Sequence, residues 1–360
     1  MMSEITRQRL HQQRLNGPKF ADPAAVVSWL GAVQSQDFPG AKWSLNMRMT
    51  GTSDVLIEQA FNEGAILRTH VMRPTWHFVT PEDIRWLLML TGPRVIALNA
   101  YWDRKLELDD AAFERANATF VRVLQGGRQL TREELAAALA EIGIIAEGQR
   151  LAYIVMRAEL GAVICSGARR GKQFTYALLD ERAPQARILT RDEALVELTL
   201  RYFTSHGPAT IADFAWWSGL TKADVRIGLD MVGSQLEQAV IEGQTYWFSS
   251  APLPGSSTDF EAFLLPTYDE YVIGYTDRRA FFESNDNEKI GSRGQTMTFD
   301  STVILNGFIQ GSWRRVFKQG TAVIEFIPFR PLTPAEDEAF AAARQRFSAF
   351  LEMPVVLAAS

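Results

Sequence analysis

The sequence predicts an α+β protein, and two patterns along the chain carry this prediction. In residues 1–252 a unit of helical segments followed by two short strand-like segments occurs three times. In residues 259–360 strand-like segments alternate with turns until one helix closes the chain. Separate blocks of helices and strands are typical of the α+β class.

The first unit, residues 1–110, begins its helical part at Asp22-Pro23, where an N-cap precedes a proline in the first turn. The segment "SDVLIEQAFNEG" predicts a second helix that ends at Gly64. The segment "ILRTHVMRPTWHFV" then predicts two strands with a bend at Arg73-Pro74. A long helix is expected from "PEDIRWLLML" to about Arg104.

The second unit, residues 111–188, opens at "LTREELAAALAEIG", where Thr131 and Glu134 have capping-box spacing. A helix from residue 150 to about 160 follows. The segment "VICSGARRGKQFTYALL" then predicts a hairpin whose tip carries three basic residues, Arg169, Arg170 and Lys172.

The third unit, residues 189–252, shows the pattern most clearly. In "TIADFAWWSGLTKADVRIGLDMV", Thr210 and Thr221 each open a helix, with Gly219 at the turn between them. The segment "AVIEGQTYWF" closes the unit as a hairpin. Two helices joined by a glycine turn and followed by a hairpin are the layout of a winged helix. The sequence therefore predicts three tandem winged-helix units.

The C-terminal domain, residues 259–360, follows a linker rich in Pro, Gly and Ser, "SSAPLPGSST". The segments "FEAFLLPTYDEYVIGY", "TVILNGFIQGSWRRVF" and "AVIEFIPF" are predicted strands, and Asn306-Gly307 suits a type I′ turn. A helix is expected from about Thr333-Pro334. This predicts an antiparallel β domain with a terminal helix.

The composition fits a globular protein with more than one core. The chain has 360 residues, 47% of them hydrophobic, and this length favours two or three domains. Its single cysteine, Cys165, excludes an internal disulfide and a multi-cysteine zinc site. The four histidines show no ligand spacing. We therefore expect neither a metal nor a cofactor.

Nothing in the sequence directs the protein to a membrane. The first residues lack the apolar core of a signal peptide, and no stretch reaches the roughly 18 uncharged apolar residues that a membrane span needs. We therefore expect a cytoplasmic location. The formal net charge of −5 weighs mildly against a nucleic-acid partner, but basic patches can lie on an acidic surface.

Six segments, in chain order, resemble one known family. They are "VQSQD", "RTHVMRPTWHFVTPEDIRWLL", "RRGKQFTYALLDER", "YFTSHGPATIADFAWWSGL", "LLPTYDEYVIGYTDR" and "GSWRR". They resemble the tandem winged-helix proteins of the AlkZ and YcaQ type over essentially the whole chain. This resemblance implies a DNA glycosylase that excises alkylated purines, interstrand crosslinks included, from double-stranded DNA.

The resemblance also implies the catalytic residues. The family carries a Gln-x-Gln or Gln-x-Asp motif near the N-terminus, and Gln34-Ser35-Gln36 matches the Gln-x-Gln form of the AlkZ branch. Asp37 lies one position too late to be the carboxylate of the other branch. The motif places no lysine as an amine nucleophile, so we expect a monofunctional enzyme that leaves an abasic product without strand cleavage.

The chemistry of the substrate suits a pair of amides. A purine alkylated at N7 is already cationic and leaves without a general acid. What remains is to place a water at the sugar C1′, and two amide oxygens can accept hydrogen bonds from one water and fix it.

The spacing of the pair sets a geometric condition. Residues two apart on an α-helix point about 200° from each other, whereas in extended backbone they share a side. Because "DFPG" after Gln36 indicates that the helix is ending, we expect Gln34 and Gln36 to converge from a non-helical turn onto one accessible point. The alternative is that two glutamines at a helix end face solvent or cap carbonyls.

The first hairpin carries further candidates. His70 and His77 are candidates to orient a glutamine or contact phosphate, with histidines hydrogen-bonded inside a packed sheet as the alternative. Strand alternation places Thr69 and Arg73 on one face and His70 on the other. Arg68 and Arg73 are candidates for phosphate because a guanidinium binds phosphate oxygens bidentately.

Other basic residues are candidates to contact the DNA backbone, and for those at the hairpin tip of the second unit a solvated loop is the alternative. They are Arg169, Arg170 and Lys172 in the second unit and Arg314 and Arg315 in the C-terminal domain. The pair Trp216-Trp217 suggests base stacking. Adjacent positions on a helix place one of the two in the core, and we favour a core role there.

The acidic residues of "TYDEY", Asp269 and Glu270, with Asp277 nearby, resemble a metal-binding group. Adjacent residues alternate faces on a strand, so we expect no metal site there.

Two other functions stay open from the sequence. A non-enzymatic winged-helix DNA-binding protein or regulator would explain the repeated units but leave Gln34 and Gln36 without a task. A scaffold without DNA affinity would explain the acidic balance, and salt-dependent binding to a duplex would exclude it.

Overall fold

The structure, a computed structural model, describes residues 2–250, 261–282 and 301–358. Its helices are α1 (Met2–Gln12), α2 (Pro23–Leu30), α3 (Phe38–Asn46), α4 (Asp54–Glu63), α5 (Ile84–Lys105), α6 (Asp110–Leu124), α7 (Arg132–Ala140), α8 (Gly148–Leu160), α9 (Leu179–Arg182), α10 (Arg191–Ser205), α11 (Ile211–Ser218), α12 (Lys222–Val232), α13 (Glu270–Ile273) and α14 (Pro334–Leu351).

Its strands are β1 (Val33–Gln34), β2 (Leu67–Val71), β3 (Arg73–Val79), β4 (Leu130–Thr131), β5 (Ile164–Ser166), β6 (Thr175–Leu178), β7 (Glu237–Ile241), β8 (Gln244–Phe248), β9 (Ala262–Leu265), β10 (Ser301–Leu305), β11 (Phe308–Lys318), β12 (Thr321–Pro328) and β13 (Val355–Leu357).

Capping residues set the starts of the helices α7, α11, α12 and α14. The side chains of Thr131, Thr210, Thr221 and Thr333 each accept the main-chain N–H three residues later, and the acidic side chain at that position bonds back to the threonine N–H. This reciprocal pair satisfies two donors that the first turn leaves free. The predicted starts of these helices are confirmed.

Three small antiparallel sheets follow the helices, as a winged helix requires. Their strand orders are β1-β3-β2, β4-β6-β5 and β7-β8, so the predicted hairpins β2-β3, β5-β6 and β7-β8 are all present. The first two sheets gain a short extra strand from the preceding segment. The fold is therefore three tandem winged-helix units, for which we keep the proposed boundaries 1–110, 111–188 and 189–252.

The C-terminal part is a sheet of order β13-β12-β11-β10-β9 closed by α14. Asn306 and Gly307 have positive φ angles of 48° and 89° and join β10 to β11, which confirms the predicted type I′ turn. β13, which follows α14, pairs in parallel with β12, so the sheet is antiparallel except at this edge. Of the predicted linker, residues 249–258, only the first two positions lie within the described part of the chain.

The buried apolar residues form two main cores. One continuous core joins the first unit, the third unit and the C-terminal sheet. The second unit has a core of its own, built on residues of α6, α7 and α8 such as Phe120, Leu135 and Ile154. The first sheet therefore lies where three parts of the chain pack together.

The segment after Pro266 forms a helix where we predicted a strand. β9 ends at Leu265 because the proline that follows has no N–H for the ladder. Asp269 then caps α13 by accepting the N–H of Tyr271 at 2.9 Å. Asp269 and Glu270 thus lie at a helix start and do not alternate on a strand.

Two details of the first unit also differ from prediction. The segment "DFPG" opens α3, with Pro39 in its first turn, while the preceding helix α2 already ends at Leu30. The bend between β2 and β3 lies at Met72, whose φ is +64°, and β3 starts at Arg73. Among the described residues, no helix combines the length and the apolar character needed to cross a membrane.

Candidate active site

The Gln-Ser-Gln segment runs between α2 and α3, so the expectation that it lies outside a helix is confirmed. Gly31 ends α2 with a φ of +84°, a conformation that favours glycine. A Cβ at this position would also lie 3.3 Å from the Trp217 ring. This turn directs the next residues into β1, where Gln34 pairs with His77 of β3.

Three protein groups hold the main chain of the segment. The N–H of Gln34 donates to a carboxylate oxygen of Glu270 at 2.7 Å. The N–H of Ser35 donates to the carbonyl of Trp76 at 2.7 Å, and the Ser35 carbonyl accepts from Nε of Arg68 at 3.1 Å. The segment is thus fixed from both sides before any substrate contact.

The two glutamine side chains differ in exposure. Gln34 is 7% exposed, and its Oε1 accepts a hydrogen bond from Nη2 of Arg73 at 3.0 Å. Gln36 is exposed, and its Oε1 lies 3.4 Å from the N–H of Trp76. We expected both amides to converge onto one accessible point, but the structure buries and anchors Gln34 and exposes only Gln36.

A row of polar atoms lies on the same face of the sheet as Gln34. His77 lies opposite Gln34 in β3, and Thr69 lies opposite His77 in β2, so their side chains share a face. Among the described residues, Nε2 of His77, Oγ1 of Thr69, Oγ1 of Thr75 and Nε of Arg73 are buried without a hydrogen-bond partner. Buried polar atoms normally have partners. Thr69 and His77 are fully buried, so these atoms lie inside the protein beside Gln34 and not at its surface.

His77 is neutral at physiological pH. Burial lowers the pKa of His77 to about 3, and the nearby Arg73 charge acts in the same direction. Its Nδ1 lies 3.0 Å from the Thr75 carbonyl, which accepts the Nδ1 proton. The remaining nitrogen, Nε2, is therefore a hydrogen-bond acceptor on the face of Gln34.

His70 and Arg68 project from the opposite face of the sheet. His70 is buried, contacts Glu159 of α8 through Nδ1, and its ring lies 4.2 Å from that of Trp76. The Arg68 guanidinium lies between Trp76 and Phe174, 4.4 Å and 4.5 Å from their ring centroids. His70 is thus not brought together with the Gln34 side chain.

Arg68 supports the motif from inside the protein. It is 7% exposed, and burial lowers its pKa to about 10. Because its Nε holds the Ser35 carbonyl, we assign it to the support of the Gln-Ser-Gln main chain and not to a phosphate at the surface.

Glu270 and Asp269 accept hydrogen bonds from other groups of the protein. Both oxygens of Asp269 accept from the buried Arg48 guanidinium, each at 2.9 Å. Glu270 accepts the Trp217 indole N–H at 2.7 Å as well as the Gln34 N–H. Burial raises the pKa of the Glu270 carboxyl, but His206 and the Gln34 N–H lower it more, so the pKa lies below its usual value.

The basic loop of the second unit is only partly free. Arg169 donates to Glu58 of α4 and stacks over Phe38, with its guanidinium 5.0 Å from the ring centroid. Arg170 is exposed and donates to Glu134 at 2.8 Å. Lys172 is exposed at the loop tip. Of the three, Arg170 and Lys172 are the residues placed at the surface.

The C-terminal sheet reaches the first unit through Arg315. Its Nη2 lies 4.0 Å from Oδ2 of Asp37, the residue after Gln36. Arg314, which precedes Arg315 on β11, points to the other face of the sheet. It is exposed and pairs with Glu325 at 2.8 Å. Arg315 therefore lies beside the motif, and Arg314 does not.

The two tryptophans of α11 separate as the sequence suggested. Trp217 is fully buried, whereas Trp216 is 45% exposed. The Arg73 guanidinium lies 5.4 Å from the Trp216 ring centroid. A Cβ at Gly219, whose φ is +71°, would overlap the carbonyl oxygen of Met72, so this glycine lets the α11-α12 turn approach the first hairpin. The sequence placed Trp216 and Arg73 in separate units, and the fold brings them together.

Sequence reasoning missed Glu270 as a neighbour of the motif. The chain separates it from Gln34 by 236 positions, so spacing carries no signal of their contact. In the sequence, Asp269-Glu270 is part of a family-like segment and resembles a metal-binding group, and neither interpretation predicts the contact with Gln34.

Fold and site together define the class: a tandem winged-helix protein with a glutamine pair held on the first sheet. A family model described as DNA glycosylase AlkZ-like matches residues 27–350. The chain therefore belongs to the AlkZ-like DNA glycosylase family and is a DNA glycosylase.

Individual relatives agree with this assignment. A protein from Streptomyces sahachiroi named interstrand DNA cross-link repair glycosylase is 23% identical over 366 residues, covering 96% of each chain. The solved structure of the Streptomyces sahachiroi DNA glycosylase AlkZ superposes with a TM-score of 0.81 at 20% identity, covering 99% of each chain. The structural likeness shows that the fold is shared.

Proposed function

We propose that this protein is a monofunctional DNA glycosylase that hydrolyses the N-glycosidic bond of cationic N7-alkylated purines in double-stranded DNA. The lesion class comprises simple adducts, bulky adducts and interstrand crosslinks. The observation that carries the proposal is the Gln34-Gln36 pair, held outside a helix and beside a row of unpartnered polar atoms. The printed name of the Streptomyces relative, a cross-link repair glycosylase, supports the inclusion of crosslinks.

The proposed reaction needs little acid-base chemistry from the protein. The N7 cation makes the purine a good leaving group, so the C1′–N9 bond breaks without protonation of the base. The purine departs as a neutral base, positive charge develops on the sugar, and water adds at C1′ and releases one proton to the solvent. Placing that water before the bond breaks lowers the entropic part of the barrier.

The exposures of the two glutamines suggest different roles. Each amide oxygen has two acceptor sites, and Arg73 or the Trp76 N–H uses one of them. We assign Gln36, the open member, to the direct contact with water, and Gln34, the anchored member, to the second contact. His77, which is buried on the same face as Gln34, would help to orient that glutamine.

The partners of the pair support a monofunctional reaction. Within the described residues, Gln34 and Gln36 hydrogen-bond to Arg73, Glu270 and Trp76, and no lysine bonds to either glutamine. A Schiff-base mechanism needs an amine nucleophile at the sugar. We therefore expect an abasic site in an uncut strand as the product.

We also propose which cations contact DNA. Arg170, Lys172 and Arg314 are exposed and can bind phosphate, while Arg315 lies beside Asp37 and can act close to the lesion. Phosphate contacts orient the duplex without reading its sequence, which suits an enzyme that must find damage anywhere.

An excision screen tests the proposal. Duplexes carrying N7-methylguanine, a bulky N7 adduct or an N7-N7 crosslink are incubated with the protein, and released base and strand breaks are followed, with an AlkZ-type enzyme as positive control. We expect released base from at least one duplex and no strand break. DNA binding without release from any duplex would favour the non-enzymatic regulator.

A further inference from the structure

We propose that Glu270 is a positioning residue for base excision, whose ionised carboxylate holds the main chain of Gln34 at the free edge of β1. This inference rests on the proposed function, because it assumes that Gln34 takes part in hydrolysis. It adds to the site a residue from a distant part of the chain.

The contacts of Glu270 are all directed at the site or its support. Oε1 accepts the Gln34 N–H at 2.7 Å, and Oε2 accepts the Trp217 indole N–H at 2.7 Å. Nε2 of His206 lies 3.7 Å from Oε2. The side chain is fully buried, so it touches neither solvent nor substrate. Glu270 therefore acts through Gln34.

A buried carboxylate persists only when hydrogen bonds and charges stabilise it. The N–H groups of Gln34 and Trp217 donate to the Glu270 carboxylate. His206 and the Gln34 N–H hold the pKa of this carboxyl below its usual value in spite of burial. A hydrogen bond to an ionised acceptor is about twice as strong as one between neutral groups. The hydrogen bond from the Gln34 N–H to Glu270 is consequently stronger than one to the carbonyl oxygen of a neighbouring strand.

Two groups of opposite charge bind Gln34, one at its main chain and one at its side chain. The anion Glu270 binds its main-chain N–H, and the cation Arg73 binds its side-chain oxygen at 3.0 Å. These two contacts restrict the orientations that the Gln34 side chain can adopt. The Glu270 charge also opposes the effect of burial on Arg73, since the carboxylate raises the pKa that burial lowers.

The negative charge has a second consequence for the reaction. Positive charge develops on the sugar as the purine leaves, and the Arg73 guanidinium on Gln34 would oppose it. Glu270 places one compensating negative charge in the same buried cluster, where low polarity makes charges act strongly. Loss of this charge should slow bond cleavage more than it weakens DNA binding.

The test compares Glu270→Gln with a matched control. The amide offers one acceptor and one donor to two N–H groups, so Gln34 and Trp217 cannot both be satisfied. Glu159→Gln makes the same change at an equally buried carboxylate on the opposite face of the sheet, bound to His70. For each protein we would measure single-turnover release of 7-methylguanine, duplex Kd and Tm.

We expect Glu270→Gln to release base at least about tenfold more slowly with an unchanged duplex Kd. Glu159→Gln should keep the wild-type rate. Equal rates for Glu270→Gln and wild type would overturn the assignment of Glu270 alone. Absence of release by wild type would instead overturn the proposed function.

A second variant covers the case in which Glu270→Gln does not fold. Glu270→Asp keeps the charge but withdraws it from the Gln34 N–H by one methylene. We expect a slower release at unchanged duplex Kd. If Glu270→Asp also fails to fold, or folds and releases base at the wild-type rate, Glu270 has only a structural role and the proposal is wrong.

Discussion

Nη2 of Arg73 donates a hydrogen bond to Oε1 of Gln34 at 3.0 Å, and the same guanidinium lies 5.4 Å from the centroid of the exposed Trp216 ring. One side chain thus links the proposed catalytic motif of the first unit to a surface aromatic of the third. The sequence predicted Arg73 as a phosphate ligand, and its hydrogen bond to Gln34 indicates a second role, the orientation of that side chain.

Arg73→Ala distinguishes these two roles. If Arg73 orients Gln34, its loss lets the amide rotate, and we expect single-turnover excision to fall by about tenfold to a hundredfold. Duplex affinity should change little. If Arg73 instead binds phosphate, the variant loses affinity, and the slope of log Kd against log salt falls by about one. Rate and affinity measured on the same preparation decide between the roles.

Trp216→Ala tests whether the exposed indole stacks on a displaced base. Stacking on an aromatic side chain contributes about 1–3 kcal/mol per base. We therefore expect Trp216→Ala to lose more affinity, relative to wild type, for a lesion duplex than for an undamaged one. Tyr101→Ala, at an exposed aromatic of α5, is the control and should leave both affinities unchanged. Equal losses for both duplexes with Trp216→Ala would contradict a stacking role.

Lys172→Gln tests the basic loop of the second unit. Removal of one phosphate contact should weaken binding equally for damaged and undamaged duplexes and lower the salt slope by about one. Lys105→Gln, at an exposed residue of α5, serves as the control. An unchanged salt slope for Lys172→Gln would show that this loop does not contact the backbone.

The lowered pKa of the buried His77 makes the stability of the protein depend on pH. Its pKa is about 3 in the folded protein because of burial, against about 6.5 when unfolded. Between these values the unfolded chain binds a proton that the folded chain does not. The free energy of unfolding therefore falls as pH decreases from about 6.5, by up to about 1.4 kcal/mol per pH unit from this residue.

His77→Gln removes that contribution. Chemical denaturation at several pH values between 7.5 and 5 should give a flatter pH dependence for His77→Gln than for wild type. His206, whose pKa burial also lowers, is present in both proteins and acts in the same direction. The same slope in both proteins would mean that His77 is protonated in the folded state.

Local signals in the sequence predicted most of the secondary structure. Thr131, Thr210 and Thr221 started helices because a threonine cap with an acidic partner acts within one turn. Asn306-Gly307 formed the predicted turn because a type I′ turn needs two residues with positive φ, a conformation that asparagine and glycine adopt more readily than other residues. Where prediction was wrong, after Pro266, an aspartate cap started a helix inside a segment rich in strand-forming residues.

The site was harder to predict because its contacts are distant in sequence. Family resemblance pointed to Gln34 and Gln36, and strand alternation correctly separated Arg73 from His70. Glu270 and Trp216 come close to the motif only through the packing of the third unit and the C-terminal part against the first sheet. Arg68 is buried against Trp76 of the first unit and Phe174 of the second unit, and this contact between distant parts of the chain is not visible in the sequence.

The central claim is that the two glutamines place the water that cleaves the glycosidic bond. Single-turnover release of 7-methylguanine by wild type, Gln34→Ala and Gln36→Ala tests it most directly, with duplex Kd measured for each protein. We predict release by wild type, a loss of at least about a hundredfold for each variant, and unchanged Kd. Release by both variants at the wild-type rate would contradict the account.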